Sequence, residues 1–239
     1  MLLPNRFSTF LTSCTVRFFA FCCLLVWIGL LLGSQQVVAQ PGTLTIGKLK
    51  YSGGGDWYGN VNSLRNLKRF VQEQTRIHIS IEEEVVEPSS PQLFQYPMLY
   101  LSGHGNIEFS RGEAQNLRRY LLAGGFLLMD DDYGMHKYAV REIRKIFPEY
   151  ELTDLPFSHP IFRSHFVFSN GIPKTHEHDN KPPQALGIIH EGRLVLLLTY
   201  EADLGDGWED PQVHNDPPEV RQRALQMGTN ILLYALMKP

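Results

Sequence analysis

From Leu44 onward the hydrophobic pattern switches repeatedly between the period of a strand and the period of a helix. "LTIGKLKY" (44–51) reads as a first strand. After a glycine run, Val61, Leu64, Leu67 and Val71 share one face at three- and four-residue spacing and predict a helix. "RIHISIEEEVVE" (76–87) then alternates, with Ile77, Ile79 and Ile81 on one side, and Pro88 and Pro91 end it; a strand with one open face, stopped by prolines, belongs at a sheet edge. "PMLYLSGHG" (97–105) is continuously apolar before its polar end, as expected of a strand covered on both faces.

The next helix is the best defined. In "SRGEAQNLRRYLLAGG" (110–125), Ser110 and Glu113 have the spacing of a capping box, and Ala114, Leu117, Tyr120 and Leu121 form the buried stripe. Gly124 or Gly125 supplies a left-handed C-terminal cap that returns the chain to the sheet. "FLLMDDD" (126–132) is a further buried strand, and "KYAVREIRKIF" (137–147) a helix burying Ala139, Ile143, Ile146 and Phe147 before Pro148. Residues 150–184 lose all periodicity, and a loop of that length in a compact domain is usually functional or mobile. Order returns in "ALGIIHEGRLVLLLTY" (185–200), a hairpin turning at Glu191-Gly192, and a last helix starts at Asp216-Pro217-Pro218. Alternating strands and helices predict one α/β domain over 40–239, built on a sheet with crossover helices.

The first 39 residues are of another kind. "VRFFAFCCLLVWIGLLLG" (16–33) has no acidic residue, is preceded by Arg6, and is followed by Val37 and Ala39 at cleavage-type spacing, which predicts a signal peptide over 1–39. The alternative is an uncleaved helix that anchors the chain; this is the only way the reading gives the protein a membrane partner. Both place the domain outside the cytoplasm, in the periplasm or secreted. Cys14, Cys22 and Cys23, the only three cysteines, all fall in this leader, so the domain after it has no disulfide and no thiol nucleophile. The leader also holds two of the 22 basic residues, so against 25 acidic ones the remainder carries 20 − 25 = −5. That balance, without a basic run, excludes non-specific nucleic-acid binding.

The candidate chemistry stands at strand ends. "GGGDWYGN", "SGHG", "DDDYG" and "EADLGDG" each follow an apolar strand, and in a parallel sheet such ends share one edge, where ligands bind at a change in strand order. In the first, Gly54 and Gly55 admit a phosphate cradle or a tight turn. The segment has neither the lysine of a P-loop nor a G-x-G-x-x-G, and Asp56 puts a negative charge where a phosphate would sit. A turn presenting Asp56, Trp57 and Tyr58 to a ligand is the preferred reading, against a purely structural turn. His104, between Gly103 and Gly105, has the setting of a general base or metal ligand, against a loop histidine bonded to backbone. Asp130 and Asp131 can act as acid and base, or with Asp132 hold a divalent cation, against one capping carboxylate with solvated neighbours. With Trp57 and Tyr58, Tyr133 and Trp208 offer flat surfaces suited to a sugar ring, against the commoner reading of core or rim packing. His159, restrained by Pro160, could close the site from the long loop. His176, Glu177, His178 and Asp179 crowd together, but a loop fixes no ligand geometry; Glu201 and Asp203 are weaker candidates.

"LKYSGGGDWYGN", "YPMLYLSGHG", "LRRYLLAGGFLLMDDDYG" and "HPIF", in this order, resemble the DUF4159 family, bacterial domains of unknown function, over nearly all of the chain after the leader. The resemblance implies a class I glutamine amidotransferase-like fold, a flavodoxin-like three-layer sandwich with helices on both sides of a mostly parallel sheet. Sugar-utilisation relatives in that superfamily carry an "HPI" segment similar to His159-Pro160-Ile161, an analogy pointing toward carbohydrate. Amidotransferases attack with a cysteine at a strand-to-helix elbow, where this chain has "MDDDYG"; thiol-based glutamine hydrolysis is excluded. The expectation is therefore a small-molecule binding or hydrolase-like site at the C-terminal edge of the sheet, with a non-catalytic module of a bacterial envelope assembly as the alternative. The sequence names no protein partner and no cofactor beyond the divalent cation that the aspartates would admit.

Overall fold

The computed structural model describes residues 43–237. The expected signal peptide and its three cysteines lie outside the described residues. No helix among the described residues is long and apolar enough to cross a membrane.

Seven strands form one sheet: β1 (Ile46–Leu49), β2 (Glu84–Val86), β3 (Met98–His104), β4 (Phe126–Tyr133), β5 (Thr153–Asp154), β6 (Gln184–His190) and β7 (Arg193–Tyr200), in the spatial order β2-β1-β3-β4-β7-β6-β5. The first five in that order are parallel; β6 and β5 continue the sheet antiparallel. The parallel part has the 2-1-3-4 order of flavodoxin-like sheets, so the chain reverses its direction of travel between β1 and β3. This confirms a mostly parallel α/β sheet with β2 at an edge.

Helices α1 (Ser63–Gln74), α2 (Arg111–Leu122), α3 (His136–Ile146) and the last long helix divide between the two faces. Because strand side chains alternate, Met98, Tyr100, Phe126 and Leu128 pack with α1 and the C-terminal helix, while Leu99, Leu101, Leu127 and Met129 pack with α2 and α3. Right-handed crossovers travelling in opposite directions from β1 and β3 place their helices on opposite faces. The capping box of Ser110 and Glu113 is formed with both reciprocal bonds. After α2 the chain turns through Gly124 at φ +109°. A Cβ on Gly125 would stand 2.2 to 2.5 Å from the Tyr120 ring, whose hydroxyl bonds to the carbonyls of Tyr96 and Phe126. Gly125→Ala therefore forces that ring out of its seat, with an expected loss of about 2 kcal/mol in a urea unfolding titration.

Two expectations shift. Helix α1 begins at Ser63, leaving Val61 outside it and 68% exposed. Of the stretch 76–87 only Glu84–Val86 pairs as a strand, because its partner β1 is four residues long; Ile79 reaches the sheet by a single bridge to Leu44. The hairpin turns at Glu191 and Gly192, both at positive φ, as a two-residue primed turn requires. After β7 come two short helices that the periodicity did not announce, α4 (Leu204–Trp208) and α5 (Pro211–His214), before α6 (Pro218–Leu236).

Candidate functional site

The glycine run packs backbone against backbone. Gly55 donates to Asn106 O at 2.9 Å, Glu108 donates to Ser52 O at 2.8 Å, and the Asn106 amide donates to Gly53 O. A Cβ on Gly55 would come within 2.6 Å of His104 O, and one on Gly53 within 2.8 Å of Glu108 N. The glycines are needed for this close approach to the segment after β3, with Gly53 and Gly54 both at positive φ.

What the approach positions is Asp56. Its Oδ1 accepts the His104 backbone N–H at 2.5 Å, and its Oδ2 stands 3.1 Å from His104 Nδ1. Gly103 lacks a Cβ where one would stand 2.5 Å from the Tyr51 hydroxyl and 2.8 Å from Asp56 Oδ1. His104 is about half exposed, at 54% of its side chain, and its Nε2 has no hydrogen bond among the described residues. Trp57 and Tyr58 meet edge to face at 5.8 Å beside this pair, with Tyr58 65% exposed. Gly105, also at positive φ, completes the turn after His104.

The three aspartates of β4 separate by parity. Asp131 faces α3 and accepts the backbone N–H groups of Met135 and His136 at 2.8 and 3.1 Å, a cap on that helix. Asp130 and Asp132 point to the other face. Asp130 accepts the Thr199 hydroxyl, Leu204 N–H and, at 2.6 Å, Gly205 N–H, tying β4 to β7 and to the start of α4. Asp132 Oδ2 accepts from Asn60 at 3.1 Å and Ser102 at 3.3 Å, while its Oδ1 is buried without a partner. Burial pushes all three carboxyls up, Asp130 to about 7, Asp131 to about 6 and Asp132 well above the usual range. The hydrogen bonds of Asp130 and Asp131 oppose this, and the charges of Asp203 and Asp206 reinforce it for Asp130 and Asp132. Asp56 and Asp132 are linked through Tyr51, which donates its hydroxyl to Ser102 O and whose own pKa burial, then these two carboxylates, raise.

Loop 164–183 reaches the same edge because β6 runs antiparallel to β7, so the residues before β6 lie beside the residues after β7. Thr175 N–H donates to Ala202 O at 2.8 Å, and Glu201 accepts both Lys174 Nζ and Asp179 N–H. These bonds seat His176 and His178 over Asp203 and Asp206. Hydrogen bonds to Asp203 and then Asp206 raise the His176 pKa to about 10 against burial. Burial alone would push Asp206 up, but His176 and His214 hold it below the usual carboxylate range. Tyr133 stacks on His178 at 4.6 Å between ring centres and lines, with Asp131, His136 and Tyr200, a cleft of about 290 Å³.

His159 stands elsewhere. Its ring packs on Tyr234, which packs on Phe126 and accepts Leu194 N–H, both residues at the starts of their strands. It lies at the N-terminal edge of the sheet, so it cannot close a site at the other edge. Trp208 is fully buried and offers no ligand surface. Asp203, Asp206 and His214 carry more of the site than their sequence context suggested; the only early signal was that "EADLGDG" follows a buried strand.

No curated protein matches the chain. Residues 45–236, which hold nearly every described residue, match the model of the family described as Domain of unknown function (DUF4159), and the chain belongs to that family.

Proposed function

We propose that this domain binds a small molecule outside the cytoplasm and acts on it as a hydrolase, with His104 as general base at the C-terminal edge of the sheet. One observation carries the reading: Asp56 holds His104 at both its backbone N–H and its Nδ1, which leaves Nε2 unbonded toward solvent. A carboxylate on Nδ1 fixes the tautomer in which Nε2 has the lone pair, the arrangement that lets an imidazole take a proton from water or a hydroxyl. The strand-order reversal beside β1 and β3 is where sheets of this type place ligands.

The exposed Tyr58 and Tyr133, with the half-buried Trp57, favour a ligand with a flat apolar face and polar rim, and a carbohydrate fits that description. A panel of chromogenic glycosides and esters tests the reading on the purified protein. The expected outcome is turnover of at least one substrate class that falls about 100-fold in His104→Ala, the usual contribution of a positioned base. Turnover unchanged by that substitution would remove His104 from the chemistry.

A further inference from the structure

Asp130, Asp132, Asp203 and Asp206 are all buried around one spot, and among the described residues no lysine or arginine pairs with any of them. Carboxylates so placed raise one another's energy and need a counter-charge nearby. What faces Asp203 and Asp206 is a set of imidazoles. His178 Nε2 contacts Asp203 Oδ2, His176 Nδ1 stands 3.4 Å from the same oxygen and 3.1 Å from Asp206 Oδ2, and His214 Nε2 is 3.6 Å from Asp206 Oδ1.

We propose that His176, His178 and Asp203 form a binding site for one divalent transition-metal ion, with zinc the best fit and Asp206 and His214 at its rim. The site is independent of the role given to His104, since none of its donors touches that residue.

His176 is the deciding residue. Its Nε2 lies 3.0 Å from Asp216 Oδ1. A ring that donates Nε2–H to Asp216 directs Nδ1 at two carboxylate oxygens, an arrangement that needs positive charge there, from a second proton on the ring or from a bound cation. A carboxylate behind the outer nitrogen is also the usual support of a metal-bound histidine. A proton on Nδ1 would serve one oxygen well, yet two acceptors and a second imidazole converge there. Asp203 Oδ1 and Asp132 Oδ1, both on side chains almost wholly buried, are left without any partner.

The spacing agrees. In a tetrahedral site with bonds of roughly 2.0–2.1 Å, neighbouring donor atoms stand about 3.3 Å apart. The His176 contacts at 3.1 and 3.4 Å bracket that value, while the His178–Asp203 contact is shorter and must open to admit an ion. Donor atoms of His176, His178 and Asp203 all lie within 4.8 Å of one another, as do those of His176, Asp206 and His214. Two imidazoles with carboxylates suit zinc and its transition-metal neighbours, whereas magnesium and calcium prefer oxygen donors throughout.

The backbone is left-handed at two positions beside the site, one of them a glutamate for which this is strained. Glu201 and Asp203 adopt φ of 56° and 48°, a conformation that disfavours side chains other than those of glycine, asparagine or aspartate. Glu201 uses it to hold the loop that carries the histidines, and Asp203 to turn its carboxylate between them.

The test uses the purified protein stripped with a chelator and titrated with zinc, cobalt or magnesium by calorimetry and thermal unfolding. One zinc per chain is expected, with a raised unfolding midpoint, and no such rise with magnesium at the same concentration. Cobalt should give the visible absorption of a four-coordinate ion. His178→Ala should weaken zinc binding at least about 100-fold. Asp203→Asn keeps the volume and tolerates the left-handed backbone, so it remains informative where the alanine variant does not fold, and it should weaken zinc to a similar degree. Zinc affinity equal in the wild type and in Asp203→Asn, or no zinc bound by the folded wild type, would overturn the proposal.

Discussion

Trp208→Ala should lower the free energy of unfolding by about 4 kcal/mol, measured by urea titration at neutral pH. The indole is fully buried between α1 and α6, where it packs on Tyr100 at 5.4 Å and donates Nε1–H to Ala224 O at 2.9 Å. Gly228 of α6 has no side chain because a Cβ there would stand 2.8 Å from the ring. Truncation would thus leave a cavity that α6 cannot close and remove the Nε1–H bond that ties the ring to that helix. A loss within about 0.5 kcal/mol, the size of a surface change, would show that the ring is not seated in the core. The substitution should also reach the site. Trp208 ends α4, the helix that begins just after Asp203 and contains Asp206, and Asn66 of α1 donates to Trp208 O at 2.9 Å. Loosening this anchor frees both carboxylates, so zinc affinity should fall together with stability although Trp208 binds no metal.

The sheet was legible because its signals are local. Continuous apolar runs marked β3, β4 and β7, and a capping box marked α2, each within about ten residues. The strand Glu84–Val86 was placed at the edge correctly, but its length was set by the four residues of β1, which no pattern within 76–87 encodes. The short helices after β7 were missed for a related reason. Leu204 and Trp208 are both buried, but two apolar positions four apart among glycines and acids give no periodic signal.

The site divides in the same way. Asp56 and His104 were legible as neighbours because both follow adjacent parallel strands, and the glycines beside them announced a close backbone approach. The splitting of Asp130, Asp131 and Asp132 was available from strand parity: alternate residues must face opposite helices, so the middle one had to leave the other two. The meeting of His176 and His178 with Asp203 and Asp206 was not available. It depends on β6 running antiparallel beside β7, a long-range pairing that brings an irregular loop back over the strand ends. His159 shows the converse, since a proline-restrained histidine in that loop looked placed and is, but under α6 at the opposite edge.

The carboxylates on β4 make a further result expected: the metal-free protein should lose stability as pH rises from 5 to 8, by at least about 3 kcal/mol. Burial raises the Asp130 carboxyl to about 7 in the folded chain from an ordinary value of 3.8. Between those values the folded protein keeps a proton that the unfolded chain has released, so each pH unit of increase removes about 1.4 kcal/mol of stability until the folded group ionises. Asp131, raised to about 6, and Asp132, raised well above its ordinary value, act in the same direction. His136 and His159, both lowered by burial, work against this slope only below about 6.5, where the unfolded imidazole takes up its proton. Urea midpoints of chelator-treated protein at pH 5, 6.5 and 8 measure the effect, and a midpoint that rises steadily with pH would contradict it. Asp132→Asn should flatten the dependence at the alkaline end, because an amide oxygen can still accept from Asn60 and Ser102 while the charge is gone. Zinc should flatten it too, since a bound cation offsets the carboxylates that otherwise hold protons.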